Sequence, residues 1–209
     1  MGLPVVHFTK KRGIDIIENM ILSDRDIKLY IKEGGLRFKP KLSNDQIGPA
    51  SIDLKLGNIF KIFRPERYLS LDVKKGIPLE YLESVEVKDD APFILHPHMF
   101  VLAATKEYVM IPDDISMKVE GKSTLGRVGL LVHTAGFVDP GFEGHITLEL
   151  SNQGNLPIVI YPGMYICQAD CQMMSSPAEV PYNKRKKSLY SQQRGPVAPN
   201  TKNLFERKH

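Results

Sequence analysis

GKSTLGRVGLLVHTAGFVDPGFEGHITLELSNQGNLPIVIYPGMYICQAD, residues 121–170, packs a Lys-Ser-Thr cluster, an Arg, an Asp and a Glu into a run rich in glycine and β-branched residues. Within it, residues 145–150 alternate. Ile146, Leu148 and Leu150 fall on one side, and His145, Thr147 and Glu149 on the other. That is the two-residue period of a strand with one apolar face. Glu149 sits on the polar face, flanked by hydrophobic neighbours along its own strand. A carboxylate in such a place is either paired or set up for proton transfer. Upstream, Asp139-Pro140-Gly141 is turn chemistry at the end of an apolar run. The hydroxyls of Ser123 and Thr124, with backbone amides near Gly126, suit a loop that grips phosphate oxygens. Arg127 adds a planar fork for the same task. The spacing G-x-x-x-x-G-K-[ST] is absent, so this is no Walker loop.

Outward from that stretch the chain keeps the same grain. Ser23-x-x-Asp26 reads as a helix cap, with Ile27, Tyr30 and Ile31 as the apolar stripe and Gly34-Gly35 as the stop. Residues 51–63 alternate as strand around a turn at Gly57-Asn58. Residues 64–92 carry Pro65, Gly76, Pro78 and Pro92, and read as a loop-rich excursion with short strands. Further strands are expected at 93–95, 100–105, 108–111, 116–120, 128–133 and 158–161. Many short strands at close spacing imply an all-β barrel or double sheet. No internal repeat or second domain is visible. The expected division is an extension over 1–19, a β domain over 20–180 and a tail over 181–209. The tail holds the basic run Lys184-Arg185-Lys186-Lys187, which reads as a solvated face, a nucleic-acid patch or a lid over an anionic ligand.

Composition bounds the function. The 209 residues are 42% hydrophobic and 25% charged, with a net charge of +4. No apolar run reaches membrane-spanning length, and the charge is too mild to argue for nucleic acid. The first residues lack a signal-peptide pattern, and two cysteines make no disulfide framework, so a reduced, cytoplasmic protein is expected. Cys167 and Cys171 share a strand face, with His133 and His145 nearby in sequence. Buried thiols are the commoner reading of such a set, and zinc the rarer one.

The segments GKSTLGRVGL, HTAGFVDPGFEGHITLELSN and LPIVIYPGMYICQ resemble the dCTP deaminases of the dUTPase-like trimer superfamily. The resemblance extends to MILSDRDI, to residues 49–54 and to the PYN and QQRGP segments of the tail, covering residues 20–200. It implies a mainly β fold: a distorted β-barrel or double sheet of the β-clip type, with a short N-terminal helix and a mobile C-terminal tail. It also implies a homotrimer with sites between subunits. The substrate would be dCTP, with dUTP and dTTP as possible ligands and Mg²⁺ bound through the substrate triphosphate. Neither nucleic acid nor a membrane is implied as a partner. No zinc is expected either, and the H-x-E…P-C-x-x-C signature of zinc deaminases is missing.

By the same resemblance, Glu149 takes a proton from the water attacking C4 of cytosine and delivers it to the departing ammonia. Ser123 and Arg127 lie beside the base and phosphates, in one loop with Lys122, Thr124, Leu125 and Gly126. Asp139 meets the 3′-hydroxyl and, in the dUTP-hydrolysing branch, helps position the attacking water. Thr147 and Leu148 hold the base through backbone groups. Gln168, on the strand face of Ile166, joins Tyr182 and Gln193 in binding nucleotide. The segment 134–139, with Ala135 and Gly136, resembles the branch that goes on to dUMP. Deaminases that stop at dUTP commonly carry His-Arg where this chain has Gly136-Phe137. One departure stands out: Leu189 precedes Tyr190 where the family often has Lys, so the phosphate cation comes from Lys186 or Lys187 or is absent. The alternatives are a deaminase that releases dUTP and a non-catalytic nucleotide-binding, regulatory trimer.

Overall fold

A computed structural model describes residues 9–11, 14–16, 20–64, 70–88, 90–133, 136–186 and 188–205. The strands in chain order are β1 (Thr9–Lys11), β2 (Ile14–Ile16), β3 (Arg37–Lys39), β4 (Ile52–Lys55), β5 (Ile59–Phe63), β6 (Leu82–Glu86) and β7 (Phe93–Leu95). They continue as β8 (Phe100–Met110), β9 (Ile115–Gly121), β10 (Leu130–His133), β11 (Phe137–Val138), β12 (Glu143–Asn152), β13 (Ile158–Ile160) and β14 (Tyr165–Met173). Two α-helical segments accompany them, α1 (Asp24–Lys32) and α2 (Ser123–Gly126).

Helix α1 begins where its cap predicts. The Asp26 amide donates to Ser23 Oγ, and the Ser23 hydroxyl donates to Asp26 Oδ2 at 2.8 Å. It stops at Gly34, whose φ of +80° is backbone that side chains resist. The strands form one sheet in the order β10-β12-β8-β5-β6, with β3 also on β8, and a second in the order β11-β9-β14-β4. Two antiparallel pairs, β13-β7 and β1-β2, stand apart, and the second falls in the N-terminal extension. Of the two forms expected, the double sheet is the one realised: the strand orders have free ends and do not close into a ring. Ile146, Leu148 and Leu150 of β12 join Ile52 and Leu54 of β4, Met117 of β9 and Ala169 of β14 in one apolar core.

Two irregularities depart from simple alternation. The strands expected at 100–105 and 108–111 are one strand, β8, with a bulge between them. His145 of β12 pairs with Tyr108 and Thr147 with Ala104, so Thr105, Lys106 and Glu107 oppose Ile146 alone. The bulge turns Glu107 into the interior, where its carboxylate accepts from Gln46 Nε2 and the Lys55 amide, both at 2.9 Å. A second bulge, between Tyr165 and Cys167, buries Ile166 and Cys167 together. Gln168 therefore faces outward with Asp170, not on the face of Ile166 as plain alternation predicts.

Asn152 closes the far end of β12. It is fully buried; its Nδ2 donates to the carbonyls of Leu95 and Leu156, and its Oδ1 accepts from the Gly154 amide, each at 2.8 Å. Truncation leaves three backbone groups without their partner. Asn152→Ala is expected to lower the unfolding free energy by about 1–3 kcal/mol, read from denaturant melts. A change below about 0.5 kcal/mol, the range of ordinary surface substitutions, would refute the role.

Candidate active site

The outer face of β12 borders a cavity of about 490 Å³. Its walls are largely apolar, with Phe63, Phe100, Leu102, Val138 and Phe142 among them. Its polar side chains are few: Asp139, Thr147, Glu149, Tyr182, Tyr190 and Gln193. The strand explains the position. Each residue that turns its neighbour into the core turns Thr147 or Glu149 the opposite way.

Glu149 is half-buried, and its Oε2 is buried with no hydrogen-bond partner among the described residues. Burial raises its pKa above the ordinary carboxylate value, and a hydrogen bond from its own backbone opposes the rise. A proton is therefore held more firmly here than on a solvated glutamate. Gln193 Oε1 is a second buried acceptor without a partner in the same cavity. Two such acceptors favour a ligand that brings N–H or O–H donors.

Two neighbours share the edge of β12 beside the cavity. Among the described residues, β10 pairs with β12 from Glu149 onward, where His133 is its partner. At the other end the tail takes the edge. Gln193 pairs with Gly144 as a parallel bridge, and the His145 amide donates to the Gln193 carbonyl at 3.1 Å. Gln193 Nε2 also donates to the His145 carbonyl and to Thr147 Oγ1. Thr147 and Leu148 lie between these two pairings. The Leu148 side chain is buried in the core, so only its backbone is available to a ligand.

The Asp139 turn is where the tail crosses. Gly141 has a φ of +79°, and a Cβ there would meet Pro181 Cβ at 2.7 Å, so only glycine lets the two segments approach. The Tyr182 amide donates to the Pro140 carbonyl at 2.8 Å, and its ring packs on Phe142 at 5.8 Å. Burial raises the pKa of the Tyr182 hydroxyl. That hydroxyl accepts from the Tyr190 amide at 3.1 Å. The tail is docked on the cavity in this conformation, and it adds Tyr190, Val197 and Pro199 to the walls. Sequence reasoning missed these three. Their aromatic and apolar character beside a basic run was the available signal.

The structure does not bring the whole expected set together. Gly136, Asp139, Thr147, Glu149, Tyr182 and Gln193 share the cavity, whereas Lys122, Ser123, Thr124, Leu125, Gly126, Arg127 and Gln168 do not line it. The expected phosphate loop is a helical turn, α2, because the Leu125 and Gly126 amides donate back to the Lys122 carbonyl. Ser123, Thr124, Gly126 and Arg127 are exposed on it. Leu125 packs partly against the core. Lys122 is committed to Asp53, with Nζ at 2.8 Å from both carboxylate oxygens. Gln168 is the cross-strand neighbour of both Asp53 and Glu120, so it belongs with the turn. Ala135 and Lys187 lie outside the described residues, and Lys186 is exposed.

The cysteine–histidine set disperses. Both thiols are buried, burial raises the pKa of each, and that of Cys171 is pushed up to about 12. His133 Nε2 hydrogen-bonds Ser151 Oγ at 2.8 Å, and His145 Nδ1 the Thr105 carbonyl at 2.9 Å. Among the described residues, no helix is long and apolar enough to cross a membrane.

Residues 21–174 match the family model of dCTP deaminase-like proteins. A dCTP deaminase, dUMP-forming, of Dictyoglomus thermophilum is 50% identical over 181 residues, covering 86% of this chain and 93% of that protein. Proteins of the same name from Corynebacterium jeikeium and Methanobrevibacter smithii are 52% and 46% identical, over 85% and 90% of this chain and 95% and 98% of their own lengths. The crystal structure of 2′-deoxycytidine 5′-triphosphate deaminase from Agrobacterium tumefaciens has a similar fold. Its TM-score is 0.60 at 23% identity, over 74% of this chain and 48% of that one. On the match across residues 21–174 and these identities over most of its length, the chain belongs to the dCTP deaminase-like family.

Proposed function

We propose that the chain hydrolyses dCTP at two points, releasing ammonia from C4 and diphosphate from the triphosphate, to give dUMP. The observation that carries this reading is the Glu149 carboxylate: half-buried in a cavity with largely apolar walls, one oxygen unpartnered, on the outer face of β12. In the first step Glu149 takes a proton from water as the oxygen bonds to C4, and passes it to the amino group as the C4–N bond breaks. A base raised toward the working pH suits both transfers. The backbone of Thr147 and Leu148, on the edge of β12 between the β10 pairing and the tail, holds the cytosine ring. The orphaned acceptors of Glu149 and Gln193 suit its amino group and the water.

In the second step Asp139, on the turn beside the cavity, orients a water toward the α-phosphate. Gly136 lines the same cavity at a φ of +74°, leaving room that a larger side chain would fill. Mg²⁺ arrives on the triphosphate. When bound, it offsets charge developing on the phosphates. Tyr182 and Gln193 close over the nucleotide from the tail.

The remaining groups come from a second copy. In the proposed homotrimer, the exposed turn with Ser123, Thr124 and Arg127 completes the cavity of a neighbour. Its surroundings support this: Val128 and Leu131, which follow the turn directly, are 57% and 39% exposed, an apolar surface suited to a subunit contact.

Incubation with dCTP and Mg²⁺ tests the reaction. Ammonia and diphosphate are expected in equal amounts, with dUMP as product. Accumulating dUTP without diphosphate would leave a deaminase only, and no ammonia at all would leave a nucleotide-binding protein. Glu149→Gln is expected to bind dCTP and to lose ammonia release by about 10²–10⁴-fold. Gly136→His is expected to lose diphosphate release while ammonia release persists, the second activity reporting that the variant is folded.

The same carboxylate makes a stability prediction. Its folded-state pKa lies above the unfolded value, so the neutral form is favoured by folding. That contribution is complete below the unfolded pKa and is lost as pH rises through the folded one. Glutamine does not ionise. Glu149→Gln should therefore melt above the parent protein at pH 8, and the gap should close as pH falls toward the ordinary carboxylate value of about 4.3. A gap that does not change with pH would count against partial burial of the charge.

A further inference from the structure

We propose that Asp53 is a positioning residue for the turn carrying Ser123 and Arg127, and that it acts through Lys122. This rests on the reading above that the turn completes a neighbour's cavity. Residues 49–54 resemble the family in sequence, yet the reaction as derived uses none of them. The structure shows what Asp53 holds. Both of its carboxylate oxygens lie 2.8 Å from Lys122 Nζ. The ammonium has three N–H donors, so this fork engages much of its capacity. Lys122 is then less a free phosphate cation than a strut.

The strut matters because of where Lys122 stands. Its carbonyl accepts the Leu125 and Gly126 amides at 3.0 and 3.1 Å, the bonds that start α2, and its own amide donates to the Ile166 carbonyl. A helix of one turn does not stand by its own hydrogen bonds. The side chain of Lys122 pins that turn to β4 from below. β4 in turn is held firmly. The Asp53 carbonyl accepts from Gln46 Nε2 at 2.9 Å, and the same nitrogen donates to Glu107, which is 1% exposed. Gln168 lies beside Asp53 on the neighbouring strand. The pair itself is about a quarter exposed, at 27% for Lys122 and 23% for Asp53. An ion pair so solvated adds little to overall stability, so its effect is on geometry.

Two measurements on the full chain test this. The first is amide hydrogen exchange, which needs no substrate. Asp53→Asn keeps the shape of the side chain and removes its charge. It is expected to speed exchange at residues 123–127 at least tenfold while β12 stays protected, and Asp53→Glu is expected to restore protection in part. The second is turnover of dCTP. Asp53→Asn should lower kcat for ammonia release at least tenfold, and the double variant with Lys122→Met should be no worse than Lys122→Met alone. Unchanged exchange in the turn overturns the proposal, as does a double variant whose losses multiply. If Asp53→Asn fails to fold, Lys122→Met removes the same strut from its other end and must loosen the turn alike; an unchanged turn overturns the proposal there too. A parent protein that releases no ammonia defeats the proposed reaction instead, and the exchange result still decides the strut.

Discussion

A carboxylate held half out of water, with one oxygen unpartnered among the described residues, is the constraint around which this structure is arranged. Ionising Glu149 costs desolvation that no cation among the described residues offsets, so its pKa is raised above the ordinary value. Such a group persists only where the surrounding fold leaves it no alternative. The opposite face of β12 supplies that compulsion. Ile146, Leu148 and Leu150 are buried, and rotating the strand to free Glu149 would bring three aliphatic side chains into water. By area, each is worth about 1.5–3 kcal/mol. The core therefore sets the orientation of the carboxylate as firmly as it sets the sheet.

The cavity around it is assembled from segments far apart in sequence. The bulge in β8 lets Thr105 Oγ1 accept the Ile146 amide at 3.0 Å, and Thr105 Oγ1 itself donates to the Glu107 carbonyl at 2.8 Å. That local distortion shapes the place where Gln193 docks on His145. The tail reaches this edge because Gly141 allows Pro181 to cross the Asp139 turn without a side chain between them. Backbone pairing, two tyrosines and an amide then hold the tail on the cavity. None of these contacts uses the basic run at 184–186, whose side chains stay exposed.

Local physics made much of this legible. The cap at Ser23, the strand at 93–95 and the alternation around Glu149 are each written within a few residues, and each forms as read. The placing of Asp139, Thr147, Tyr182 and Gln193 beside Glu149 was reached through resemblance, and the cavity brings them together. What stayed hidden depends on partners elsewhere. The bulge at 105–107 answers to Gln46 and the Lys55 amide, on other elements. The bulge at Ile166 reverses the face on which Gln168 falls, and no period in the sequence announces it. The 122–126 segment reads as a phosphate loop until Asp53, on β4, takes the lysine.

The separation between cavity and turn has a physical logic. In the proposed reaction Glu149 works as a base because its surroundings are largely apolar and its Oε2 has no partner among the described residues. A guanidinium from the same chain, packed permanently against it, would stabilise the carboxylate and draw its pKa down. Arg127 is kept away from the cavity by the geometry of its own chain, on a turn pinned to the other sheet. In the proposed trimer the two meet only across a subunit boundary, with the nucleotide between them. The cation then faces phosphate charge that arrives with the substrate, and the base keeps the environment that makes it one. Splitting the site between copies, as proposed, would hold an acid–base group and an anion-binding group in one cavity without letting them neutralise each other.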